Sequence, residues 1–464
     1  MNITKYLNTN ILNIKNRLNI ENNYDIIFKN FKISNINACL VTVDGLTDST
    51  LLQKILENLE THVTLSDKFT IEEVESKIPY YEIDIKDTFE DIETAILSGV
   101  TVLFLDKLNK AICIDCRDYP QKKSQNPSKD RVFKGPRDSF VEPIIFNVAL
   151  IRRRLRDSDL KIDYLELGKI TKTDIAICYL ESKVNKNLLN KIKSRLKKAK
   201  SNVHTLNRRD IEDIIFPRKW YNPFPFFKLN ERPDTAASEI IEGEIVILID
   251  NHPNCLILPT SFFDLLEEAN DFYFPSITRT YLKFSRLIIL LLTLLGTPTL
   301  LLLLNNESII PSFLSFIKIT KEVHVPILVQ LLLLEISTDG LRLASLNTPD
   351  TLSNTLSILG AVVVGEFAAK SGWFNESILL YMAIVTIASY TQPSFELSFS
   401  IKFMRIFMLI STQLAGIYGY IFSLLCCILI LLTLKTPQGR NYLYPLIPFN
   451  YIEFKKKFFA VKEK

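Results

Sequence analysis

Several hallmarks of enzymes and nucleic-acid binders are missing from this 464-residue sequence. It has no glycine-rich phosphate loop, no nucleophile elbow, and no closely spaced histidines and cysteines that would hold a metal. The four histidines, at positions 62, 204, 252 and 324, are far apart. The net charge of +4 is small for this length and argues against a dedicated nucleic-acid binder. We therefore expect no enzyme activity, no metal, no cofactor and no nucleic-acid partner.

The features of a secreted, disulfide-bonded protein are also missing. The seven cysteines are odd in number and scattered, so we expect them to be reduced and mostly buried. Cys113 and Cys116 form one C-x-x-C in a predicted strand without a second pair, which favours a structural role over a metal or redox role. Residues 1–6 (MNITKY) are polar and lack an apolar segment, so no secretory signal is expected.

What the C-terminal part does contain is long stretches without charge. Residues 287–304, 377–395 and 407–434 are such runs. A helix that crosses a hydrocarbon core of about 30 Å needs about 20 mostly apolar residues, and lipid forces its backbone to satisfy its own hydrogen bonds. Buried core helices are the alternative, but 407–434 is far longer than an average globular helix. The runs therefore predict transmembrane helices.

A fourth span is predicted at 323–346, and basic residues on both flanks set the topology. Lysines and arginines precede the first run, and more follow residue 434. By the positive-inside rule both flanks are cytoplasmic, which requires an even number of crossings. Four spans, at about 284–304, 323–346, 377–395 and 407–434, satisfy that rule. Residues 351–374 are predicted to form an amphipathic or pore-facing helix embedded in the membrane; a fifth crossing there would misplace one end.

Charged residues inside the fourth span are the strongest functional clue. Glu335, Asp339 and Arg342 are spaced i, i+4 and i+7 and so share one helix face. Each costs about 2.5–3.5 kcal/mol at the membrane centre and is expected to face a bundle interior or water. These residues predict a polar pathway or gate; an interhelical salt bridge without a transport role is the alternative. The other candidates for the pathway or gate are Ser357, Gly365 and Glu366.

A stripe of small residues supports a second interpretation of the 351–374 stretch. Asn354, Ser357, Ala361, Gly365 and Ala368 recur at helical spacing of three and four. Small residues let helices pack closely, and they can also line a narrow aqueous path. Both interpretations stay open.

The N-terminal part interleaves predicted strands and helices, the α/β pattern. We divide it into an N-terminal arm (1–35), a first α/β subdomain (36–118), a linker (119–134) and a second α/β subdomain (135–275). The helical membrane domain (284–434) and a basic cytoplasmic tail (435–464) follow. Ser139 and Glu142 have the spacing of a capping box at the start of a helix. The Arg152–Arg154 run predicts a solvated helix face, with an interdomain or lipid-phosphate contact as the alternative.

Several short motifs resemble the A subunits of spore germinant receptors, the GerA family. They are GPRDSFVE at 135–142, NVALIRRRL at 147–155, LGKITKT at 167–173, ERPD at 231–234 and QPSFEL at 392–397. The residues that carry the resemblance are Gly135, Pro136, Arg137, Glu142, Asn147, Arg152, Arg153, Arg154, Thr171, Lys172, Thr173, Glu231, Arg232, Pro233, Asp234, Pro393, Glu396 and Arg405. Several motifs in family order are more specific than any one alone.

The resemblance implies a multi-pass protein of the spore inner membrane, with its N-terminal region and C-terminal tail on the core side. Family A subunits work with a permease-like B subunit and a lipoprotein C subunit. They transduce the binding of a nutrient germinant, and they are thought to oligomerise and to form or gate an ion-conducting pathway.

Two other functions are compatible with parts of the sequence. One is a related sporulation membrane protein that assists the release of dipicolinate and ions without sensing a nutrient. The other is a secondary transporter, which would require an internal repeat with paired broken helices. The sequence shows no such repeat, so the transporter is the weaker alternative.

Overall fold

The computed structural model describes residues 2–66, 68–119, 135–199, 207–306, 310, 323–347 and 370–459. The chain forms two compact units. The N-terminal unit comprises Met1–Arg218 and Phe227–Pro259, and the helical unit comprises Lys219–Phe226 and Thr260–Lys464. The predicted end of the second subdomain at residue 275 is therefore wrong, because residues 260–275 fold with the helices.

The first half of the N-terminal unit is a five-stranded sheet with four helices. The strands are β1 (Ile26–Ile33), β2 (Ile36–Val43), β3 (Ile83–Lys86), β4 (Thr101–Leu105) and β5 (Ala111–Ile114), in the order β1-β2-β4-β5-β3. The helices are α1 (Leu7–Leu18), α2 (Ser49–Thr61), α3 (Ile71–Lys77) and α4 (Phe89–Leu97). Apolar clusters on both faces of the sheet form its core.

Residues 1–35 are not the separate arm that their composition predicted. Ile14 and Leu18 of α1 are fully buried in the core, and β1 pairs along its whole length with β2. The expectation failed because only one side of each element is apolar. Most of the asparagines and lysines that make the segment look unstructured occupy the solvent side of α1 and of an edge strand. Asn10 is the exception: it is fully buried, and its side chain bonds the backbone of Thr4.

The second half of the N-terminal unit repeats the scheme with a second five-stranded sheet. Its strands are β6 (Leu160–Leu167), β7 (Thr173–Leu180), β8 (Lys228–Asn230), β9 (Ile245–Ile249) and β10 (Cys255–Leu258), in the order β6-β7-β9-β10-β8. Its helices are α5 (Ile144–Arg154), α6 (Lys186–Ala199), α7 (Arg208–Ile215) and α8 (Pro233–Glu242). The predicted mixture of helices and strands is present.

Every strand pair in the two sheets is antiparallel. The short β1–β2 and β6–β7 connections dictate this for those two pairs, since a parallel pair needs a crossover of a dozen or more residues. The predicted capping box is wrong. Helix α5 begins at Ile144 rather than after Ser139, and its first N–H donates to Asp250 Oδ1 (3.0 Å).

The cysteines of the N-terminal unit are buried thiols. Burial raises the pKa of Cys39 to about 11 and that of Cys113 to about 12. Burial also raises the pKa of Cys116, whose Sγ contacts Thr101 Oγ1 at 3.2 Å. A protonated thiol is a poor metal ligand and nucleophile. The C-x-x-C pair therefore lacks the electropositive, exposed surroundings of a reactive site.

The helical unit contains five helices among its described residues. They are α9 (Ser276–Asn305), α10 (Ile327–Asn347), α11 (Glu376–Tyr390), α12 (Phe395–Thr433) and α13 (Tyr451–Phe459). Only α9 and α12 have both the length and the apolar composition of a membrane span, and α11 is a shorter apolar helix. The predicted count of four spans is not confirmed. Most of the 351–374 stretch lies outside the described residues.

Helix α12 is two helical arms joined by a reversal, not one continuous span over 407–434. Ala415 and Gly416 leave the helical conformation, and Gly416 has φ of +55°, which favours glycine. A Cβ added at Gly419 would lie 1.9 Å from the carbonyl oxygen of Ser411. Residues eight apart in a straight helix are separated by about 12 Å along the axis. The second arm must therefore fold back along the first.

Contacts with α9 follow the same reversal. Three hydrogen bonds join the two helices. Arg405 donates to the carbonyl of Thr293 (2.9 Å), Asn305 Nδ2 donates to Gln413 Oε1 (3.2 Å), and the hydroxyls of Thr299 and Tyr420 share a bond (2.9 Å). Going along α12, the contacted residue on α9 first moves towards the end of α9, from Thr293 to Asn305, and then back to Thr299. Each arm has about 17–20 residues, or about 25–30 Å of helix, which is close to the thickness of a hydrocarbon core.

The two ends of the helical unit meet at one end of the bundle. Thr280 Oγ1, near the start of α9, donates to the carbonyl of Phe458 (3.1 Å), and the Phe262 N–H donates to the carbonyl of Tyr442 (2.9 Å). The residues before the first span and after the last therefore lie together, as an even number of crossings requires.

The reversal predicts that residues just before and just after α12 are on the same side of the membrane. Thr391→Cys and Lys435→Cys, in a chain with Cys426 and Cys427 replaced by serine, should both react with a membrane-impermeant maleimide added to one side of sealed vesicles. Labelling of the two positions from opposite sides would show a single crossing instead. Tyr418→Cys, at the exposed tip of the reversal, is the internal comparison and should not share their side.

Candidate functional site

A buried ion pair joins three helices of the helical unit. Glu335 of α10 and Arg405 of α12 are each only 2% exposed. Arg405 Nη2 donates to Glu335 Oε2 (2.9 Å), and Nε approaches Oε1 to 2.7 Å. Arg405 Nη1 donates to the carbonyl of Thr293 in α9 (2.9 Å). A charge at this depth is tolerated only when it is paired, so the contact fixes α9, α10 and α12 against one another.

Lys402 extends the ion pair into a network. Its Nζ lies 3.0 Å from Glu335 Oε2 and 2.6 Å from Asp339 Oδ2, and it donates to the carbonyl of Glu335 (3.0 Å). The network therefore contains two carboxylates and two cations, Lys402 and Arg405. Its two ends differ: the side chain of Glu335 is 2% exposed and that of Asp339 is 36% exposed. One end is dry and the other touches solvent.

Arg342 borders the network and is placed by aromatic rings. Its guanidinium lies 3.6 Å from the ring centre of Phe395, 5.3 Å from that of Phe399 and 5.0 Å from that of Tyr390. Cation–π contacts of this kind contribute about 0.5–2 kcal/mol, more when they are desolvated.

The network lines a cavity of about 20 Å³. Hydroxyl groups complete its wall, from Thr338, Thr386, Ser389 and Ser398. A cavity needs about 10–15 Å³ to hold one water molecule, so this one accommodates a single water-sized species. This polar chamber is buried at its Glu335 end and reaches solvent at its Asp339 end.

The local sequence explains why Lys402 and Arg405 reach α10. Ser394 caps α12 by accepting from the Leu397 N–H (3.3 Å), and Ser398 Oγ donates to the carbonyl of Ser389 in α11 (3.1 Å). These bonds fix the start of α12 against the end of α11. Residues 402 and 405 are three apart and so point in nearly the same direction.

Three of the six predicted pathway residues come together here. Glu335, Asp339 and Arg342 all line the chamber, as their shared helix face predicted. The other three, Ser357, Gly365 and Glu366, lie outside the described residues, as does the small-residue stripe. Lys402 was missed. Its signal was a second cation three residues before Arg405, but the uncharged run beginning at 407 left both residues outside the predicted span.

The GPR and ERPD motifs meet in the second half of the N-terminal unit. Arg232 is 1% exposed; its Nη2 donates to the carbonyl of Pro136 (2.8 Å) and to Asp234 Oδ2 (2.8 Å). The Phe140 N–H donates to the carbonyl of Glu231 (2.8 Å). Pro233 occupies the first turn of α8, where its missing N–H is harmless. These residues hold the chain before α5 against the start of α8.

The three arginines of α5 have three different surroundings, so the predicted solvated face is wrong. Arg152 is fully buried, and it donates to Asp25 Oδ2 (2.9 Å) and to Asn23 Oδ1 (2.9 Å), which lie just before β1 in the first half of the N-terminal unit. Arg153 lies over the ring of Tyr119 (4.4 Å). Arg154 pairs with Asp138 (2.5 Å). The interdomain contact is the alternative that the structure shows for Arg152.

The remaining motif residues are structural or exposed. Asn147 is fully buried and exchanges two hydrogen bonds with the backbone of Val141. Thr171 and Lys172 form the exposed β6–β7 turn, and Thr173 opens β7. The others are spread over exposed or partly buried loop positions: Gly135, Arg137 and Glu142 are exposed, and Pro393 and Glu396 flank the start of α12.

These observations define a membrane-associated protein with a mixed α/β N-terminal unit and a helical unit whose core is an ion-pair network. The family model described as "Bacillus/Clostridium GerA spore germination protein" matches residues 13–463. The chain therefore belongs to the GerA family of spore germination proteins, as its motifs indicated.

The individual relatives are named either as sporulation proteins or as spore germination proteins. The chain is 30% identical over 441 residues to stage V sporulation protein AF of Bacillus subtilis, covering 94% of this chain and 88% of that one. It is 26% identical to spore germination protein KA of Bacillus subtilis (94% and 81%) and 28% identical to GerLA of Bacillus cereus (91% and 86%). The crystallised N-terminal domain of the GerK3 A subunit of Bacillus megaterium aligns with a TM-score of 0.44 at 25% identity, covering 56% of this chain and 98% of that one.

The Glu335–Arg405 pair predicts strong, non-additive effects of charge removal. Glu335→Gln should destabilise the detergent-solubilised chain by about 3–5 kcal/mol, because it leaves Arg405 charged and buried without its carboxylate. Arg405→Gln should cost less, because Glu335 keeps Lys402 as a partner. The double variant should lose clearly less than the sum, in thermal unfolding of the full chain. Ser337→Ala, at a partly buried position on the same helix where the hydroxyl donates to the carbonyl of Leu333, is the control. Additive losses would show that the two groups do not act as a pair.

A matched pair of arginines tests the interdomain contact. Arg152→Met leaves Asp25 buried without its cation and should destabilise the full chain by about 3–5 kcal/mol. Arg154→Met removes a pair whose side chains are each 20% exposed and should cost only about 1 kcal/mol. Hydrogen exchange of β1, β2 and α5 would report the difference. Equal effects of the two substitutions would contradict the role assigned to Arg152.

Proposed function

We propose that this chain is the A subunit of a nutrient germinant receptor in the spore inner membrane. In this proposal it transduces germinant binding into germination by gating an ion-conducting pathway, and the ion-pair network of Glu335, Asp339, Lys402 and Arg405 is the gate. The observation that carries the proposal is the burial of this network between α9, α10 and α12. Membership of the GerA family and the apolar helices support it.

The network has the properties of a closed gate. Its chamber has room for about one water molecule and therefore blocks a hydrated ion. Its carboxylates are neutralised by side chains of the same chain, so they do not attract ions from solution in this arrangement. Opening requires a second arrangement that a ligand or partner favours, since a ligand shifts only an equilibrium between states to which it binds differently.

The two ends of the network would open at different cost. The Lys402–Asp339 contact is partly exposed, where an ion pair contributes about 1 kcal/mol or less. The Glu335–Arg405 contact is dry, and separating it leaves the Arg405 guanidinium without its carboxylate in an apolar medium, although Glu335 keeps Lys402. A signal would therefore release Lys402 from Asp339 before it separates Glu335 from Arg405.

The partners in this proposal are inferred from the family and not from contacts in the structure. A permease-like B subunit would bind the germinant, a lipoprotein C subunit would complete the receptor, and copies of this chain would assemble around the pathway. The N-terminal unit and the C-terminal tail would face the spore core.

The second candidate function is a sporulation membrane protein that assists ion and dipicolinate release without sensing a nutrient. The 30% identity to stage V sporulation protein AF supports it. The two functions differ in what deletion does. Loss of a receptor subunit abolishes the response to one nutrient, whereas loss of the other protein slows release whatever the trigger. Genes for B and C subunits beside this one would favour the receptor.

Weakening the exposed end of the network tests the gate. Spores carrying Asp339→Asn or Lys402→Gln should release monovalent ions at a germinant concentration shifted several-fold from wild type, because about 1 kcal/mol changes an equilibrium about fivefold. Spores carrying Ser337→Ala should behave as wild type. Protein levels in the spore membrane are measured by immunoblot. Unchanged release from both network variants at normal protein level would overturn the assignment of the gate.

A further inference from the structure

Exposed apolar side chains of the helical unit extend beyond the long apolar helices to its C-terminal helix. Tyr451 and Ile452 on α13 are 64% and 65% exposed, and Phe459 and the preceding Phe449 are exposed as well. Tyr451, Ile452 and Phe459 share one side of α13, which we call its outward side, whereas the ring of Phe449 contacts Phe454. In water, such a group of large apolar side chains would be an unfavourable surface.

The inward side of α13 is firmly attached to the base of α9. Phe458 stacks on Phe454 with 4.6 Å between ring centres and lies 5.8 Å from the ring of Phe284. Lys457 Nζ donates to Asp264 Oδ1 (2.5 Å). Because these contacts hold the helix in one orientation, its outward face is a fixed surface rather than a frayed end.

The same apolar surface continues along α9. Ile277, Tyr281 and Ile288 are exposed and spaced four and seven residues apart, so they lie on one face. Leu291 and Leu292 extend that face into the uncharged run. Lys283 and Arg286 point the other way; Lys283 pairs with Glu267, and Arg286 pairs with Asp271 (2.6 Å). The first turns of α9 thus present apolar surface at the level where α13 docks.

The charge on the outward side of α13 is basic. Lys455 and Lys456 are exposed, and they stand between Ile452 and Phe459. Lys457 is already neutralised by Asp264. Aromatic and aliphatic side chains interleaved with lysines are typical of helices that lie in the membrane interface, where the apolar parts enter the acyl boundary and the ammonium groups reach the headgroups.

We propose that α13 is an interfacial helix, and that its outward face, together with the first turns of α9, binds the headgroup layer of an anionic lipid membrane. The continuity of this face with the apolar helix α9 and its two exposed lysines identify the occupant as lipid. Each lysine near an anionic surface contributes about 1 kcal/mol. The predicted basic cytoplasmic tail is, on this proposal, a membrane-bound element of the helical unit.

Tryptophan quenching by brominated lipids tests the proposal on the full chain in vesicles. Trp220 and Trp373 are replaced by phenylalanine, and Ile452→Trp supplies the only tryptophan. The control places it in the N-terminal unit as Tyr81→Trp, at a residue that is 83% exposed. We expect quenching of at least twofold for Ile452→Trp, stronger with bromines near the headgroups than deep in the acyl chains. We expect no quenching for Tyr81→Trp.

Lipid charge supplies the second measurement. Replacing anionic phosphatidylglycerol with neutral phosphatidylcholine, or introducing Lys455→Gln with Lys456→Gln, should reduce the quenching of the tryptophan at position 452 in the same direction. Quenching that is no greater than that of the Tyr81→Trp control would overturn the proposal. A blue-shifted but unquenched tryptophan would also overturn it, by showing that protein rather than lipid covers the face.

Discussion

Buried charge is the constraint on which the helical unit depends. Apolar helices in lipid gain little from apolar contact with one another, because the acyl chains are equally apolar. Their mutual positions must come from close packing and from polar groups that require a partner. Glu335 and Arg405 supply such a requirement, since a buried guanidinium needs a carboxylate and Glu335 provides it. The bond from Arg405 to the carbonyl of Thr293 adds α9 to the same constraint.

Buried, paired charges also stabilise the N-terminal unit, at two places. Arg152 joins its two sheets through Asp25, and Arg232 joins the segment before α5 to the start of α8. Both side chains are almost completely buried and each combines a carboxylate with a further polar acceptor. A guanidinium suits this role because its planar fork satisfies several acceptors at once, which an ammonium group cannot do with the same geometry. Several motif residues of the family are thus explained by packing rather than by chemistry.

The sequence predicted what depends on local pattern. Apolar runs located α9 and the apolar arms of α12, and helical spacing placed Glu335, Asp339 and Arg342 on one face. What it could not predict depends on distant partners. The reversal at Gly416 lies inside an uncharged run, and its local marks, the polar residues 411–413 and two glycines, do not by themselves break a helix. The role of Lys402 depends on its contact with α10, and the placement of residues 1–35 depends on the pairing of β1 with β2. Neither contact can be read from the spacing of apolar residues along the sequence.

The two ends of the network differ in exposure, which implies an order in which its ion pairs would separate. Along α10, Asp339 is partly exposed and Glu335, one turn earlier, is dry. Lys402 touches both, so its ammonium can stay paired with one carboxylate while the other is released. In the proposed gate, a movement at the α11–α12 turn, close to Ser398, would act on Lys402 before it reached Arg405. The network could therefore pass through a state in which only Lys402 and Asp339 have separated and every buried charge still has a partner. Such a state would let the bundle switch between two arrangements without unfolding.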